Sequence, residues 1–202
     1  ILGGRIVQPH QLVSYDLQTG KVATFFSASF GENFDAVTFA ADGSLFFSGR
    51  TIVTVADNTF TPSEIGRYSW LEFGSEGYFS APNDVAAIHV VDDHSFLIAF
   101  KVATQFGGLD YSVGDVFLHD RVSGVSTRIF SAELFYTVEE GGSYPVGNID
   151  SLAMTTNGNL LLSTTNTAEI SLSPQEVFKI RQSGVYEYDL ASGTVSVFID
   201  PD

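Results

Sequence analysis

Two distant stretches of this chain follow the same pattern, and this repetition limits the folds that the chain can adopt. Residues 33–49 read NFDAVTFAADGSLFFSG, and residues 148–164 read NIDSLAMTTNGNLLLST. In each, Asn and Asp precede an alternating apolar run, a turn that contains Gly, and a second apolar run. A third copy, NDVAAIHVVDDHSFLIAFK, lies between them at residues 83–101. The unequal spacing of the copies indicates one repeating unit with loop insertions of different length.

A second pattern alternates with the first. Residues 11–26, 115–130 and 184–199 each contain an alternating strand that ends in Asp, then a turn with Gly, then another alternating strand. Asp accepts hydrogen bonds from the backbone amides that follow it, and Gly adopts positive φ, so we predict a tight hairpin at each position. The turn residues are Asp16, Asp120 and Asp189, with Gly20, Gly124 and Gly193.

Together the two patterns predict an all-β fold. Each pair of hairpins makes a four-stranded antiparallel unit, and such units repeated in tandem are typical of the blades of a β-propeller. We predict a single domain over residues 1–202, with four blades of which one is abbreviated. Its approximate units are a partial blade at 1–30 and blades at 31–80, 81–145 and 146–202. A sandwich of hairpins is the competing fold, and the chain could also be a segment of a larger propeller or be completed by a second copy.

The third unit resembles repeats of bacterial extracytoplasmic β-propeller proteins of poorly known function. In those repeats Ile-Asp-Ala-Leu, a Gly turn, Leu-Leu-Leu-Ser and Tyr-Asp-x-x-Thr-Gly recur in that order. The resemblance extends over about residues 11–200 and rests on short motifs, from which this chain departs with His119 in place of Tyr. The turn motifs are more distantly similar to those of gluconolactonase-like propellers. The resemblance implies propeller architecture and a secreted or periplasmic location.

The composition excludes several classes of function. The 202 residues include 24 acidic and 9 basic side chains, which give a formal net charge of −15. Such an acidic chain is not expected to bind nucleic acid, which requires clustered Lys and Arg. No cysteine is present, so neither a disulfide nor a thiolate metal site can form. No apolar run is long enough to span a bilayer, so we expect no membrane insertion, and no signal peptide is visible.

The repeated acids are the sharpest candidate site. The first strand of a propeller blade lines the central axis, so equivalent positions of successive blades converge there. Carboxylate and amide oxygens in that arrangement could hold a hard cation such as Ca²⁺. Alternatively, each Asp caps the turn that leads into its strand. The candidate ligands are Asp35, Asp84 and Asp150, with Asn33, Asn83 and Asn148.

Two long insertions suggest a second, aromatic site. Residues 105–114 and 139–147 carry Gly-Gly pairs, and long loops on a rigid scaffold often carry function. The nearby aromatic residues could form a ligand-binding rim, or the loops could simply cover sheet edges. The proposed rim residues are Phe106, Tyr111, Tyr136 and Tyr144.

No catalytic motif accompanies these patterns. The sequence contains no Gly-x-Ser-x-Gly elbow, no His-Glu-x-x-His pair and no Walker loop. We therefore expect no catalytic residue and predict a non-catalytic binding or interaction propeller, whose partner is a protein, a glycan or a small molecule. A homo-oligomer is compatible with this prediction. The alternatives are a Ca²⁺-dependent hydrolase or lactonase of gluconolactonase type, and a structural segment of a larger propeller.

Overall fold

The computed structural model describes residues 11–16, 18–27, 32–139, 142–144, 149–173, 176–182 and 184–200. These residues form β-strands, here numbered β1 to β22 in chain order, and one short 3₁₀ turn at Ala132–Leu134. No helix in this part of the chain has the length and apolar character that a membrane crossing requires.

Three four-stranded antiparallel sheets form the body of the fold, and each has the predicted order of two joined hairpins. The first sheet contains β3 (Phe34–Phe39), β4 (Leu45–Gly49), β7 (Glu64–Ser69) and β8 (Gly74–Ser80). The second contains β9 (Val85–Val90), β10 (Ser95–Phe100), β13 (Val116–Asp120) and β14 (Val125–Phe130). The third contains β17 (Ile149–Met154), β18 (Leu160–Thr164), β21 (Val185–Tyr188) and β22 (Val195–Ile199).

Each sheet also carries a short hairpin between its second and third strands, which the sequence patterns did not predict. These hairpins are β5 (Val53–Val55) with β6 (Asn58–Phe60), β11 (Thr104–Phe106) with β12 (Leu109–Tyr111), and β19 (Ala168–Ser173) with β20 (Glu176–Ile180). The third one extends into a sheet with β15 (Phe135–Glu139) and β16 (Gly142–Tyr144). A separate hairpin, β1 (Gln11–Tyr15) with β2 (Val22–Ser27), precedes the first sheet.

The sheets pack face to face about their first strands. Strand β9 lies against both β3 and β17, so the first strands of the three sheets are neighbours. One apolar cluster lies between the first and second sheets, and another between the second and third. A third cluster, on the other side of the first sheet, includes Leu12 of β1 at its margin. This arrangement confirms the predicted all-β propeller-type fold, while the number of blades stays a prediction.

The Asp-Gly turns have the predicted structure. In each, one carboxylate oxygen accepts hydrogen bonds from two backbone amides, at 2.8–2.9 Å. The glycine amide donates to the main-chain carbonyl of the same Asp, and its φ lies between +66° and +71°. These hydrogen bonds lower the pKa of each carboxyl group. The repeat of Asp16, Asp120 and Asp189 is therefore explained by turn formation.

Candidate functional site

The first strand of every sheet contains a β-bulge at the same place. In β3 the residues Phe34 and Ala36 are paired with consecutive residues of β4, and Asp35 between them is left over. The same irregularity leaves Ala86 unpaired in β9 and Asp150 unpaired in β17. A bulge redirects the side chain that it carries. The repeat therefore places a side chain with a changed direction near the start of the first strand of each sheet. We call these first strands, β3, β9 and β17, the inner strands.

This register corrects the sequence alignment of the three acids. Asp84 directly precedes β9, as Asn33 directly precedes β3, so Asp84 corresponds to Asn33. The counterpart of Asp35 in the second sheet is Ala86. The sequence alignment matched Asn-x-Asp at residues 33–35 with Asn-Asp at residues 83–84 and so missed the extra residue of the bulge. The position of a bulge is defined by the pairing between strands and cannot be read from the sequence alone.

A lysine that the sequence analysis did not single out joins these acids. Lys101 directly follows β10, and its Nζ forms ion pairs with Asp35 Oδ2 and, at 3.3 Å, with Asp84 Oδ2. The Asp150 carboxylate also acts on the Lys101 ammonium electrostatically. Arg50 occupies the same position after β4 and acts on Asp84. We call Asp35, Asp84, Asp150, Lys101 and Arg50 the axial cluster.

Partial burial changes the pKa of two side chains in the axial cluster. Lys101 and Asp35 expose about a fifth of their side chains, with values of 23% and 18%. Burial lowers the pKa of Lys101, and the Asp150 carboxylate opposes that change. Burial raises the pKa of Asp84, and the Arg50 guanidinium opposes it. The Oδ1 atom of Asp84 is buried and accepts no hydrogen bond from the described residues.

The axial cluster borders a small cavity between the inner strands. The cavity has a volume of about 120 Å³, and residues of β3, β9 and β17 line it. Asp35 and Asp150 lie on its wall together with Ser151. Positions that are far apart in the chain therefore meet at one end of the three inner strands, as the repeat predicted.

The two sequence interpretations of the acids fare differently. Capping is wrong for Asp84, whose carboxylate accepts no backbone amide hydrogen bond although the residues of the turn before it are all described. At this turn it is the Asn83 side-chain oxygen that accepts a hydrogen bond from a backbone amide, that of Asp84, at 3.0 Å. The turns before Asp35 and Asp150 include residues outside the described ranges, so capping by these two acids stays a prediction.

The calcium interpretation gains no support from the described geometry. Lys101 already supplies a cation to Asp35 and Asp84, and no group of three His, Cys, Asp or Glu side chains in the described ranges is arranged to hold a metal ion. Asn148 lies outside the described residues, so the complete ligand set is untested. A calcium site at these residues stays a prediction.

The predicted aromatic rim is wrong for two of its four members. Phe106 and Tyr111 are buried in the cluster between the first and second sheets, because β11 and β12 fold back over the end of the second sheet. The Tyr111 hydroxyl donates to the Phe100 carbonyl at 2.8 Å and accepts the Phe100 amide at 2.7 Å. The side chains of Tyr136 and Tyr144 lie outside the described part of the structure.

The histidine that replaces Tyr in the repeat is a core residue. His119 is buried, and its Nδ1 lies 2.9 Å from Ser126 Oγ. The rings of Phe79, Phe96 and Phe106 surround it. Burial lowers its pKa. His119 is therefore part of the packing between the first and second sheets.

The chain is similar in structure to several solved proteins at low sequence identity. No protein-family model matches it, and no curated protein matches its sequence. Among 293 matching solved chains are Kuenenia stuttgartiensis hydrazine synthase (13% identity, TM-score 0.42), TolB from Acinetobacter baumannii (16%, 0.44) and YCF48 from Cyanidioschyzon merolae (11%, 0.45). The match covers 94%, 94% and 96% of this chain, and 44%, 37% and 73% of those chains respectively.

The chain therefore spans less than half the length of the first two of these structures. The similarity concerns overall architecture, and no family, ligand or activity is assigned from it.

Proposed function

We propose that this chain is a non-catalytic, extracytoplasmic binding module that recognises a hydroxyl-rich ligand, such as the end of a glycan, at the axial cluster. The extracytoplasmic location rests on the resemblance of the third repeat unit. The observation that carries the binding site is the buried Asp84 Oδ1, an acceptor with no donor among the described residues. A buried acceptor without a partner is costly, and a ligand hydroxyl that donates to it would remove the cost.

The chemistry of the cluster suits hydroxyl groups. Lys101 and Arg50 offer N–H donors, whereas Asp84 and the exposed Asp150 offer acceptors. A hydroxyl group both donates and accepts, so neighbouring hydroxyls of a sugar can satisfy such an alternating set. Because Lys101 and Arg50 already offset two of the three carboxylate charges, a neutral ligand fits this cluster better than a further cation.

The test is binding of defined sugars to purified protein. D-Glucose, D-galactose and N-acetylglucosamine are titrated against the unmodified chain, Asp84→Asn and the matched control Asp57→Asn, with calorimetry or NMR shifts as the readout. We expect at least one sugar to bind with a dissociation constant of about 1 mM or lower. Asp84→Asn places an amide beside the ligand hydroxyl and weakens binding roughly tenfold. Asp57 lies in the turn between β5 and β6 at φ +68°, which Asn tolerates, so this control binds normally.

Two outcomes reject the proposal. If no sugar in the panel binds, or if Asp84→Asn binds as well as the unmodified chain, the axial cluster does not recognise hydroxyls and serves the fold alone. A parallel titration with CaCl₂ tests the rival metal-dependent hydrolase: saturable calcium binding together with hydrolysis of D-glucono-1,5-lactone would replace our proposal with that one.

A further inference from the structure

A second cavity lies at the opposite end of the inner strands from the axial cluster. It has a volume of about 240 Å³ and opens between the first and second sheets, beside the turns that follow β3 and β9. We call it the inter-sheet groove. Its charged and aromatic lining residues are Asp42, Phe46, Arg67, Tyr78, Asp92, Asp93, His94 and Arg121.

Most of the polar groups in the inter-sheet groove are already paired. Arg67 contacts Asp42 at 2.9 Å and Glu76 at 3.2 Å, and its Nε donates to Ser44. The Asp92 carboxylate accepts the amides of the two residues that end its turn, at 2.7 and 2.8 Å. These groups hold the walls of the groove in place and have little capacity left for a ligand.

Two opposite charges remain available. The Arg121 guanidinium lies over the Tyr78 ring, 4.4 Å from its centroid, and forms no ion pair with the described carboxylates. The Asp93 main-chain carbonyl accepts a hydrogen bond from the Tyr78 hydroxyl at 2.7 Å, which fixes the position of Asp93. The Asp93 carboxylate forms no hydrogen bond or ion pair with the described residues. The groove thus offers one cation and one carboxylate, held apart on an aromatic floor where Phe46 packs against Tyr78.

The repeat provides an internal control for this lining. Strand pairing defines the equivalent positions between the second and third sheets. Leu118 and Ile129 there correspond to Arg67 and Tyr78 of the groove. Asn157 and Leu190 correspond to Asp93 and Arg121. There, Leu118 and Ile129 pack against the apolar core. The fold therefore accepts apolar residues at three of these four positions and a neutral Asn at the position of Asp93, so neither Arg121 nor the Asp93 charge is required for the packing of the sheets.

From this we infer that the inter-sheet groove binds a small zwitterion, of which a free α-amino acid is the simplest example. Arg121 can bind a carboxylate with two parallel hydrogen bonds, and Asp93 can receive an ammonium group. An anion without a positive group would meet the Asp92 and Asp93 carboxylates on a protein of net charge −15. The apolar side chain of an amino acid would lie against Tyr78 and Val90.

The test separates the two charges. L-Leucine, its amine analogue isopentylamine and its acid analogue 4-methylpentanoate are titrated against the unmodified protein, and the remaining standard amino acids follow as a panel. We expect an amino acid to bind with a dissociation constant of about 1 mM or lower. Removal of either charge from the ligand weakens binding at least about tenfold, because each charge loses a charge-assisted hydrogen bond.

Variants of the groove assign the two contacts. Arg121→Gln abolishes the advantage of the amino acid over its amine analogue, and Asp93→Asn abolishes its advantage over the acid analogue. The equivalent of Asp93 in the third sheet is Asn157, so Asp93→Asn leaves the turn intact. The matched controls are Lys179→Gln, an exposed cation on β20, and Asp57→Asn.

The inference is overturned if no amino acid binds, if leucine binds no better than its analogues, or if the groove variants behave as the controls do. Since the axial cluster lies at the other end of the inner strands, these results are independent of the sugar titrations, and either proposal can fail alone.

Discussion

The environment of His119 shows how a single side chain couples this fold to pH. The residue is 3% exposed, and its ring lies between aromatic rings of the first and second sheets. The nearest is Phe106, with 4.3 Å between the two ring centroids. Burial holds its pKa below the ordinary 6.5, although the Asp120 carboxylate opposes that shift. The unfolded chain therefore binds a proton more readily than the folded chain below pH 6.5, and stability falls as the pH decreases through that range.

We expect the free energy of unfolding to decrease between about pH 7 and about pH 5, and His119→Gln to reduce this decrease. Glutamine cannot take up the proton and can still bond to Ser126. Urea unfolding at several pH values measures the effect, and His94→Gln, in an exposed turn, is the control. Equal pH dependence in His119→Gln and the unmodified chain would show that His119 does not couple folding to protonation.

Within the first sheet, a pair of glycines shows how one element is fitted to its neighbour. Gly66 of β7 and Gly77 of β8 are directly paired across the two strands. A Cβ atom on Gly66 would overlap the Phe47 ring, whereas one on Gly77 would meet nothing within 4 Å. Neither glycine has positive φ, so backbone conformation does not separate them. The position of the fully buried Phe47 therefore depends on the missing side chain of Gly66.

Gly66→Ala should destabilise the protein by about 1–3 kcal/mol, because the added methyl group overpacks the core against Phe47. Gly77→Ala should leave stability unchanged or raise it slightly, since alanine costs less conformational entropy in a strand. Thermal or urea unfolding of the two variants, one residue pair apart, gives the comparison. Similar effects of the two substitutions would mean that the first sheet shifts to accommodate the methyl group.

In the molecule as a whole, the axial cluster links the first strands of all three sheets. Lys101 from the second sheet contacts Asp35 of the first and interacts with Asp150 of the third. Without its ammonium group, three carboxylates would share one end of the inner strands with Arg50 as their remaining cation. Since these side chains are partly solvated, the penalty is smaller than that for a fully buried charge pair.

Lys101→Met should therefore lower the free energy of unfolding by about 1–2 kcal/mol at neutral pH. The loss should shrink as the pH falls, because the pKa of Asp84 is already raised and protonation removes the repulsion. Lys179→Met, on an exposed position of β20, is the control for loss of one positive charge. If the two variants unfold alike, the cluster contributes nothing to holding the sheets together.

The part of this protein that its sequence determined is the part built from local interactions. Alternation of apolar and polar residues with period two marks the strands. In the turn from Asp120 to Gly124, the Asp120 carboxylate accepts hydrogen bonds from the amides two and three residues ahead of it. Both features are therefore visible in a short stretch of sequence. Repetition of that unit then predicts four-stranded sheets that share an axis.

Tertiary structure alone decided which side chains meet. Asp35 and Asp150 lie at the β-bulges and Asp84 does not, a difference that only the pairing between strands reveals. The burial of Phe106 likewise depends on where its hairpin packs. Lys101 reaches the axis because β10 ends beside the start of β9; the shared position of Arg50 after β4 was the one sequence signal that could have indicated it. Contacts between residues far apart in the chain depend on register and packing, which no local pattern encodes.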